Sequence, residues 1–592
     1  MTINERINSL RSLMIEKNLD AYIIPSTDPH ISEYVTPKWQ SRSWISGFTG
    51  SAGTIVITRD HAGLWTDGRY FLQASEQLSG SEINLHKLGM SGVKDYPDWL
   101  ASTLPKNSKV GFDSWVFPLN IAQKLKEKFA LKGIKINGDH DLIAPIWENR
   151  PELPTKEFFD QPIKYAGKSR KEKIDEIREG LKNKGATHTL ICTLDDIGWA
   201  LNIRGYDVDY NPVVISYLLI TPDSASLFID NQKIPSELKS EFENDGITFK
   251  PYHDILESIK LCDNDSIFLI DPARTNYKLY DEINRDHIVV LAQNISTDLK
   301  ARKNEIEISG MRSAMEKDCA GLVEFVYWLE NSFGSEEIDE LKAMEKLREC
   351  RSKQDLFYGE SFNTIAGYAG NGAIIHYSAN ESTNKVIGSD NFFLLDSGGQ
   401  YFDGTTDITR IFHLGNPSEE EKSDYTLVLK GMIQLTLQKF PENTRGSQLD
   451  ILARQYLWNE EKNYQHGTGH GVGCFMNVHE GPQNIRTEEN PTTLKTGMIL
   501  SNEPGIYRAN KHGVRLENLI LVKDYKKSDF GKFLEFETLT LFPFEKKCIN
   551  KDLLTDLEVN WLNDYHQMVY DRCSELLDDN KREWLKYKCS AL

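Results

Sequence analysis

Apolar residues recur every three to four positions at Ile7, Leu10 and Met14, and again at Ile174, Ile177 and Leu181. That period predicts two amphipathic helices. Each stripe runs into an apolar segment that predicts a strand, Ala21-Tyr-Ile-Ile-Pro-Ser in the first case and Thr189-Leu-Ile-Cys-Thr in the second. A tryptophan turn with glycine follows in both, Trp44-Ile-Ser-Gly and Trp199-Ala-Leu-Asn-Ile-Arg-Gly. Two further strands are then expected in each copy. They are Thr54-Ile-Val-Ile with Leu64-Trp-Thr-Asp, and Val213-Val-Ile-Ser-Tyr-Leu-Leu-Ile with Leu227-Phe-Ile-Asp. One plan used twice makes two similar α/β domains the simplest architecture for the first half.

Prolines 151 and 154 mark a linker between the copies, in Ile146-Trp-Glu-Asn-Arg-Pro-Glu-Leu-Pro. A charged helical stretch from Lys300 opens a third and larger domain. The expected divisions are 1–153, 154–299 and 300–592. Past Phe542-Pro-Phe, Thr555 and Glu558 have the spacing of a capping box, ahead of a stripe of Leu557, Trp561, Tyr565 and Met568. That tail is expected to pack on its own domain or on a second subunit. Gly47-Phe-Thr-Gly-Ser-Ala-Gly lacks the Gly-Lys-Ser/Thr ending of a phosphate loop and is expected to be a tight turn.

A chain of 592 residues exceeds one hydrophobic core, and 39% hydrophobic with 10% aromatic residues is ample for several. The net charge of -19 argues against a general nucleic-acid binder, which needs basic surface. No apolar run approaches the ~20 residues that span a bilayer, and the first residues lack the pattern of a secretory signal. The eight cysteines, from Cys192 to Cys589, form no C-x-x-C pair and read as reduced thiols. A cytoplasmic protein is expected.

The third domain carries candidate chemistry. Asn391-Phe-Phe-Leu-Leu-Asp is an apolar strand ending in Asp396, and Thr405-Thr-Asp-Ile-Thr-Arg-Ile-Phe returns after a glycine-bearing turn. Eleven residues separate Asp396 from Asp407, which can set them opposite one another on an antiparallel pair. Asp403, in an Asp-Gly pair, belongs to the turn. His466 and His470 lie among glycines that disfavour a helix. In an extended chain both imidazoles face one side, with His479 close by. Glu503 stands where the strand Met498–Asn502 breaks at Pro504-Gly505. In Gly513-Val-Arg-Leu-Glu-Asn-Leu-Ile, Arg515 and Glu517 share one face, and a carboxylate in so apolar a strand needs an arginine or a metal as partner. Four carboxylates and an imidazole form a hard donor set for divalent cations.

With Asp403-Gly-Thr-Thr-Asp-Ile-Thr-Arg, His466-Gly-Thr-Gly-His-Gly-Val-Gly, Asn477-Val-His-Glu-Gly-Pro, Asn371-Gly-Ala-Ile-Ile-His-Tyr and Trp199 to Pro212, the chain resembles the pita-bread metallopeptidases of family M24. Within them it is most similar to the three-domain, cytosolic-type Xaa-Pro aminopeptidases. The resemblance spans the whole chain. It implies an α/β (α+β) fold of two creatinase-like domains followed by a pita-bread catalytic domain. It also implies an aminopeptidase that hydrolyses the bond before a proline in second position, using a hydroxide held by two metal ions. Asp396 would chelate one metal, His470 and Glu503 the other, and Asp407 and Glu517 both. Glu503 would take the proton from water, while His376, His466, His479, Tyr507 and Arg515 would bind substrate or stabilise the transition state. Manganese is the favoured metal, with zinc or cobalt as alternatives, and a homodimer is expected.

Cys474, where a small residue such as serine is expected, and Arg508, beside Tyr507, depart from the pattern. Arg508 is expected to influence preference for residues beyond the proline. A prolidase acting on Xaa-Pro dipeptides is the alternative activity. A non-catalytic pita-bread binding protein is a further one, disfavoured because all five ligands are present.

Overall fold

A computed structural model describes residues 1–592. The chain divides into two compact units, Met1–Pro162 with Lys168–Asp298, and Ile163–Gly167 with Leu299–Leu592.

The first unit holds two six-stranded sheets of identical plan. In one, Ala21–Ile24 lies between Thr54–Thr58 (antiparallel) and Lys109–Phe112 (parallel), and Ala62–Thr66, Ile83–Lys87 and Lys135–Asn137 extend it outward. In the other, His188–Ile191 lies between Tyr217–Ile220 and Ile267–Ile270 in the same senses. The repeat read from the helix stripes is therefore a repeat of topology, and Ile7, Leu10, Met14, Ile174, Ile177 and Leu181 are all buried.

Two local expectations are corrected. Trp44 and Trp199 lie in short helices, Ser41–Ser46 and Leu194–Leu201, rather than in turns. The helices stop where Gly47 (φ +74°) and Asn202 (φ +54°) adopt the left-handed conformation that ends a helix. The strand expected from Val213 begins only at Tyr217, because the Ile215 amide donates to Asp207 Oδ2 (2.7 Å) instead of to a neighbouring strand. Gly47–Gly53 forms the connection between a helix and the Thr54–Thr58 strand. A Cβ at Gly50 would lie 2.4 Å from the Phe48 ring, so the loop is too tight for a side chain there.

The second unit is built on a three-stranded sheet (Ile365–Tyr368, Phe393–Ser397, Ile408–Phe412) and a six-stranded sheet that includes Gly469–Gly471, Ile499–Asn502 and Asn518–Ser528. A separate hairpin pairs Gly505–Arg508 with His512–Arg515. Every residue of Phe393–Ser397 and Ile408–Phe412 is buried, including the polar Asp396, Thr409 and Arg410. Helices Glu305–Ser332, Glu419–Thr436 and Asp556–Cys573 each begin with a capping box, at Asn304/Glu307, Ser418/Glu421 and Thr555/Glu558. No helix is long and apolar enough to cross a membrane.

The tail helix buries Leu562, Tyr565, Val569 and Cys573. Leu557, expected in that stripe, is exposed because the buried face runs through Glu558, Leu562, Tyr565 and Val569, one position round the helix from it. Arg410 ties this tail to the sheet. Its buried guanidinium donates to the carbonyls of Glu517 (2.6 Å) and Phe542 (2.7 Å), to Asn518 Oδ1 (2.8 Å) and to the Tyr565 hydroxyl (3.0 Å). Replacing Arg410 by Met takes this donor from the Glu517 carbonyl and Asn518 Oδ1 and leaves Phe542 and Tyr565 paired only with each other and Thr540, and is expected to cost about 3 kcal/mol. A melting temperature within 1 °C of the parent, where several degrees of loss are expected, would contradict the role given to Arg410.

Candidate metal centre

Asp396 lies near the end of the Phe393–Ser397 strand, paired across it with Thr409, not with Asp407. The residues between form a hairpin of their own, Gly399–Tyr401 with Gly404–Thr405, and the returning strand resumes pairing at Ile408 opposite Ser397. Asp407 therefore sits two residues before Thr409, a diagonal neighbour of Asp396. By strand alternation it shares the face of Thr409. Asp403 closes the small hairpin and also pairs with Lys317 (2.5 Å).

His470 occupies the Gly469–Gly471 strand. Its glycine neighbours permit close approach, since a Cβ at Gly469 would stand 2.0 Å from the Ser501 carbonyl oxygen and one at Gly471 2.3 Å from that of Glu480. The ring is oriented by Nδ1, 2.9 Å from the Gly471 carbonyl. That leaves Nε2 3.5 Å from both Asp407 Oδ2 and Glu503 Oε1. Ser501 links the pair, accepting from the His470 amide (3.0 Å) and donating to Glu503 Oε1 (3.0 Å). Glu503 follows the Ile499–Asn502 strand at the expected break, with its amide on the Thr468 carbonyl (2.8 Å).

The strand expected through Arg515 and Glu517 is broken between them. Arg515 ends the hairpin, and the next strand starts at Asn518. Glu517 is no partner of Arg515 in an ion pair, because the Arg515 Nη2 group pairs with Asp396 Oδ2. The two residues meet instead on Thr409, whose hydroxyl accepts from Arg515 Nε (3.2 Å) and donates to Glu517 Oε2 (2.8 Å). Arg515 Nη1 also donates to the Tyr507 hydroxyl (2.8 Å), which lies 2.8 Å from His466 Nε2. His479 packs edge-on against His470, ring centroids 4.3 Å apart. His376 follows Ile375, whose carbonyl is 3.5 Å from Arg515 Nη1. Cys474 is buried, its thiol 3.5 Å from the Asp403 carbonyl. Thr409 and Ser501 were not singled out in the sequence. Each lies two residues from a candidate ligand, and the period-two rule that placed the ligands applies equally to them.

Asp407, His470 and Glu517 each offer a donor atom within 4.8 Å of the others. Asp396, Asp407 and Glu517 are buried, while the His470 and Glu503 side chains are 22% and 17% exposed. Burial, with Asp407 and the other carboxylates adding to it, pushes Glu517 well above the usual carboxylate range. Burial also raises Asp396 against the opposing pull of Arg515, and lifts Glu503 to about 7 although His470 and Arg515 act to lower it. His470 is raised to about 9, because Asp407 and Glu503 outweigh the burial that disfavours its charge. Four carboxylates thus share one arginine and one histidine. Asp396 Oδ1 is buried without a hydrogen-bond partner. Oxygen donors in excess of local positive charge, with a buried lone pair unused, fit hard divalent cations.

Comparison with known proteins agrees. Residues 6–141 and 149–307 each match the creatinase/prolidase N-terminal domain, residues 309–524 match metallopeptidase family M24, and residues 532–592 match the C-terminal region of that peptidase family. A probable Xaa-Pro aminopeptidase P of Pyrenophora teres f. teres is 41% identical, over 98% of this chain and 92% of that protein. The crystal structure of an X-prolyl aminopeptidase from Caenorhabditis elegans, described as a cytosolic enzyme with a di-nuclear active site, matches all of both chains with a TM-score of 0.95 at 35% identity. A prolidase from Pyrococcus horikoshii OT3 shares the fold alone, at 24% identity and a TM-score of 0.50 over 63% of this chain. The chain belongs to metallopeptidase family M24, with creatinase-type N-terminal domains ahead of a pita-bread domain. Along its whole length it is similar to Xaa-Pro aminopeptidases.

The raised proton affinities have a testable sign. Glu503 (ordinarily 4.5) and His470 (ordinarily 6.5) bind protons more tightly in the folded, metal-free protein than in the unfolded chain. Their stabilisation is complete below those ordinary values and is lost as pH rises through about 7 and about 9. Melting temperature in chelator is therefore expected to fall from about pH 5 to 9. Saturating divalent cation should flatten the fall by replacing the protons. A metal-free melting temperature that rises over this interval would contradict the crowded site.

Proposed function

We propose that this chain is a metal-dependent aminopeptidase that releases the N-terminal residue of peptides with proline in second position. The observation that carries the reading is the convergence of Asp407, His470 and Glu517, with Asp396 and Glu503 beside them, in a chain similar along its whole length to Xaa-Pro aminopeptidases. Asp396 would hold one divalent cation, His470 and Glu503 the other, with Asp407 and Glu517 contributing to both. Oxygen-rich ligation favours manganese over zinc or cobalt. When bound, the two cations supply Lewis acidity and a water acidic enough to lose its proton near neutral pH.

The remaining work falls to side chains. Glu503 accepts the proton of the attacking water and returns it to the departing nitrogen, a role that its place beside His470, with Ser501 orienting Oε1, permits. The leaving group is a secondary amine, so it must be protonated as it leaves. The scissile amide is tertiary and has no N–H to donate, so substrate is held through its carbonyl and its amino end. His376, His466 and His479 serve as donors to the substrate carbonyl and the developing oxyanion. Tyr507 and Arg515 are substrate-contacting groups, and because Arg515 also grips Asp396, metal ligand and substrate contact are fixed by one guanidinium.

The domain divisions at 153/154 and 299/300, a homodimeric assembly and a cytoplasmic location complete the reading. The prolidase alternative is disfavoured because relatives at 35–41% identity along the whole chain are named Xaa-Pro or X-prolyl aminopeptidases. With manganese present, an Xaa-Pro-Xaa tripeptide is expected to be cleaved and a chelator to stop it. Efficient cleavage of Xaa-Pro dipeptides alone would sink the assignment in favour of a prolidase. Replacing Asp407 by Ala is expected to lower kcat/KM by at least about 100-fold, the upper end of losses seen even for residues that merely support a ligand. A folded Asp407→Ala protein with parental turnover would disprove the two-metal site.

A further inference from the structure

Arg508 does not point freely toward substrate. Its guanidinium clasps Asp424 with both arms, Nε to Oδ2 at 2.5 Å and Nη2 to Oδ1 at 3.0 Å. Asp424 belongs to the helix Glu419–Thr436, and its side chain is fully buried. The same carboxylate receives His512 Nε2 (3.0 Å), and Lys462 Nζ lies 3.4 Å away. Burial opposes the charge on Asp424, but hydrogen bonds from His512 and Arg508 hold it well below the usual carboxylate range. Arg508 and His512 face each other across the hairpin, so one anion on the helix grips both of its strands.

That hairpin carries the groups assigned to substrate. Tyr507 adjoins Arg508, and Arg515 ends the second strand opposite Gly505. The hairpin pairs with neither of the larger sheets; its Gly513 backbone packs closely on Gly372, and side chains on the helix Glu419–Thr436 hold its far end. The helix meets the site at a second point. Asn502, next to Glu503, donates to the Met432 carbonyl (2.9 Å) and the Thr436 hydroxyl (3.0 Å). One rigid element therefore holds the proton-accepting carboxylate near one end and the substrate hairpin near the other.

We propose that Asp424 is a positioning residue for the peptidase reaction: by clasping Arg508 and His512 it sets where Tyr507 and Arg515 stand relative to the carboxylates, without touching substrate. The proposal rests on the substrate roles given to Tyr507 and Arg515 above. It also assigns Arg508 to the scaffold of the hairpin rather than to selection of residues beyond proline.

The test is kinetic, on the full chain with manganese and an Xaa-Pro-Xaa tripeptide, alongside metal content and melting temperature. Asp424→Asn keeps the shape and removes the charge. It is expected to lower kcat/KM by about 10–100-fold, mostly in kcat, as a misplacement near 1 Å does. Arg508→Met opens the clasp from its half-exposed side and is expected to act in the same direction, which covers failure of Asp424→Asn to fold. The double variant should be no worse than the poorer single one, because both break the same contact. Glu420→Gln, at the rim 3.6 Å from Arg508, should change turnover less than about two-fold, as rim charges do. In a Tyr507→Phe background Asp424→Asn should lose most of its effect. Parental turnover in folded Asp424→Asn or Arg508→Met, or an undiminished effect in the Tyr507→Phe background, overturns the proposal. Parental kinetics for Tyr507→Phe alone would instead remove the substrate role of Tyr507, a separate failure from that of the clasp.

Discussion

Four carboxylates, Asp396, Asp407, Glu503 and Glu517, are drawn into one pocket whose only matching positive groups are Arg515 and His470. Removing a carboxylate from water costs several kcal/mol unless a counter-charge goes with it. Two cationic side chains cannot offset four anions. The pocket must therefore take up either protons or metal cations, and the raised proton affinities of Glu503 and His470 are the trace of the first alternative. The surrounding structure serves to keep these anions together against their repulsion. Fully buried strands fix Asp396, a glycine-flanked strand presses His470 toward Glu503, and a broken strand turns Glu517 inward.

Arg515 organises the other half of the site. It contacts Asp396, Thr409 and Tyr507 at once, so a candidate ligand, a hydroxyl that also reaches Glu517 and a buried phenol share one rigid fork. Tyr507 in turn reaches His466, and burial pushes the Tyr507 hydroxyl up to about 12, which keeps it a proton donor at any working pH. A lysine in place of Arg515 has the charge but not the fork, and cannot make these contacts together.

Much of this was legible because strand alternation and apolar context expose a misplaced charge. Asp396 at the end of a buried strand, Glu503 before a proline and His470 among glycines all declared themselves locally. What escaped depended on residues far away in the chain. The pairing of Asp396 with Thr409 follows from a small hairpin that belongs to a different sheet. The break between Arg515 and Glu517 arises because one side joins a hairpin and the other a six-stranded sheet. Arg508 looked like a substrate residue because its partner, Asp424, lies 84 residues earlier on a helix with nothing to mark it. In the first half the repeat is plain, but the two short helices around Trp44 and Trp199 read locally as turns, since left-handed residues such as Asn202 can end either.

The Arg410 guanidinium draws acceptors from three places, the strand beside Asp407, the chain at Glu517 and Asn518, and the tail at Phe542 and Tyr565. During synthesis the strand bearing Arg410 emerges well before Phe542 and Tyr565 exist. The guanidinium must wait, hydrated, for acceptors made more than a hundred residues later. The sheets of the first unit can close while translation proceeds, but the tail half of the Arg410 clamp cannot form until the tail helix is off the ribosome. A nascent chain halted before Phe542 carries all five candidate ligands but lacks the tail half of the clamp, a built-in delay between making the site and locking it.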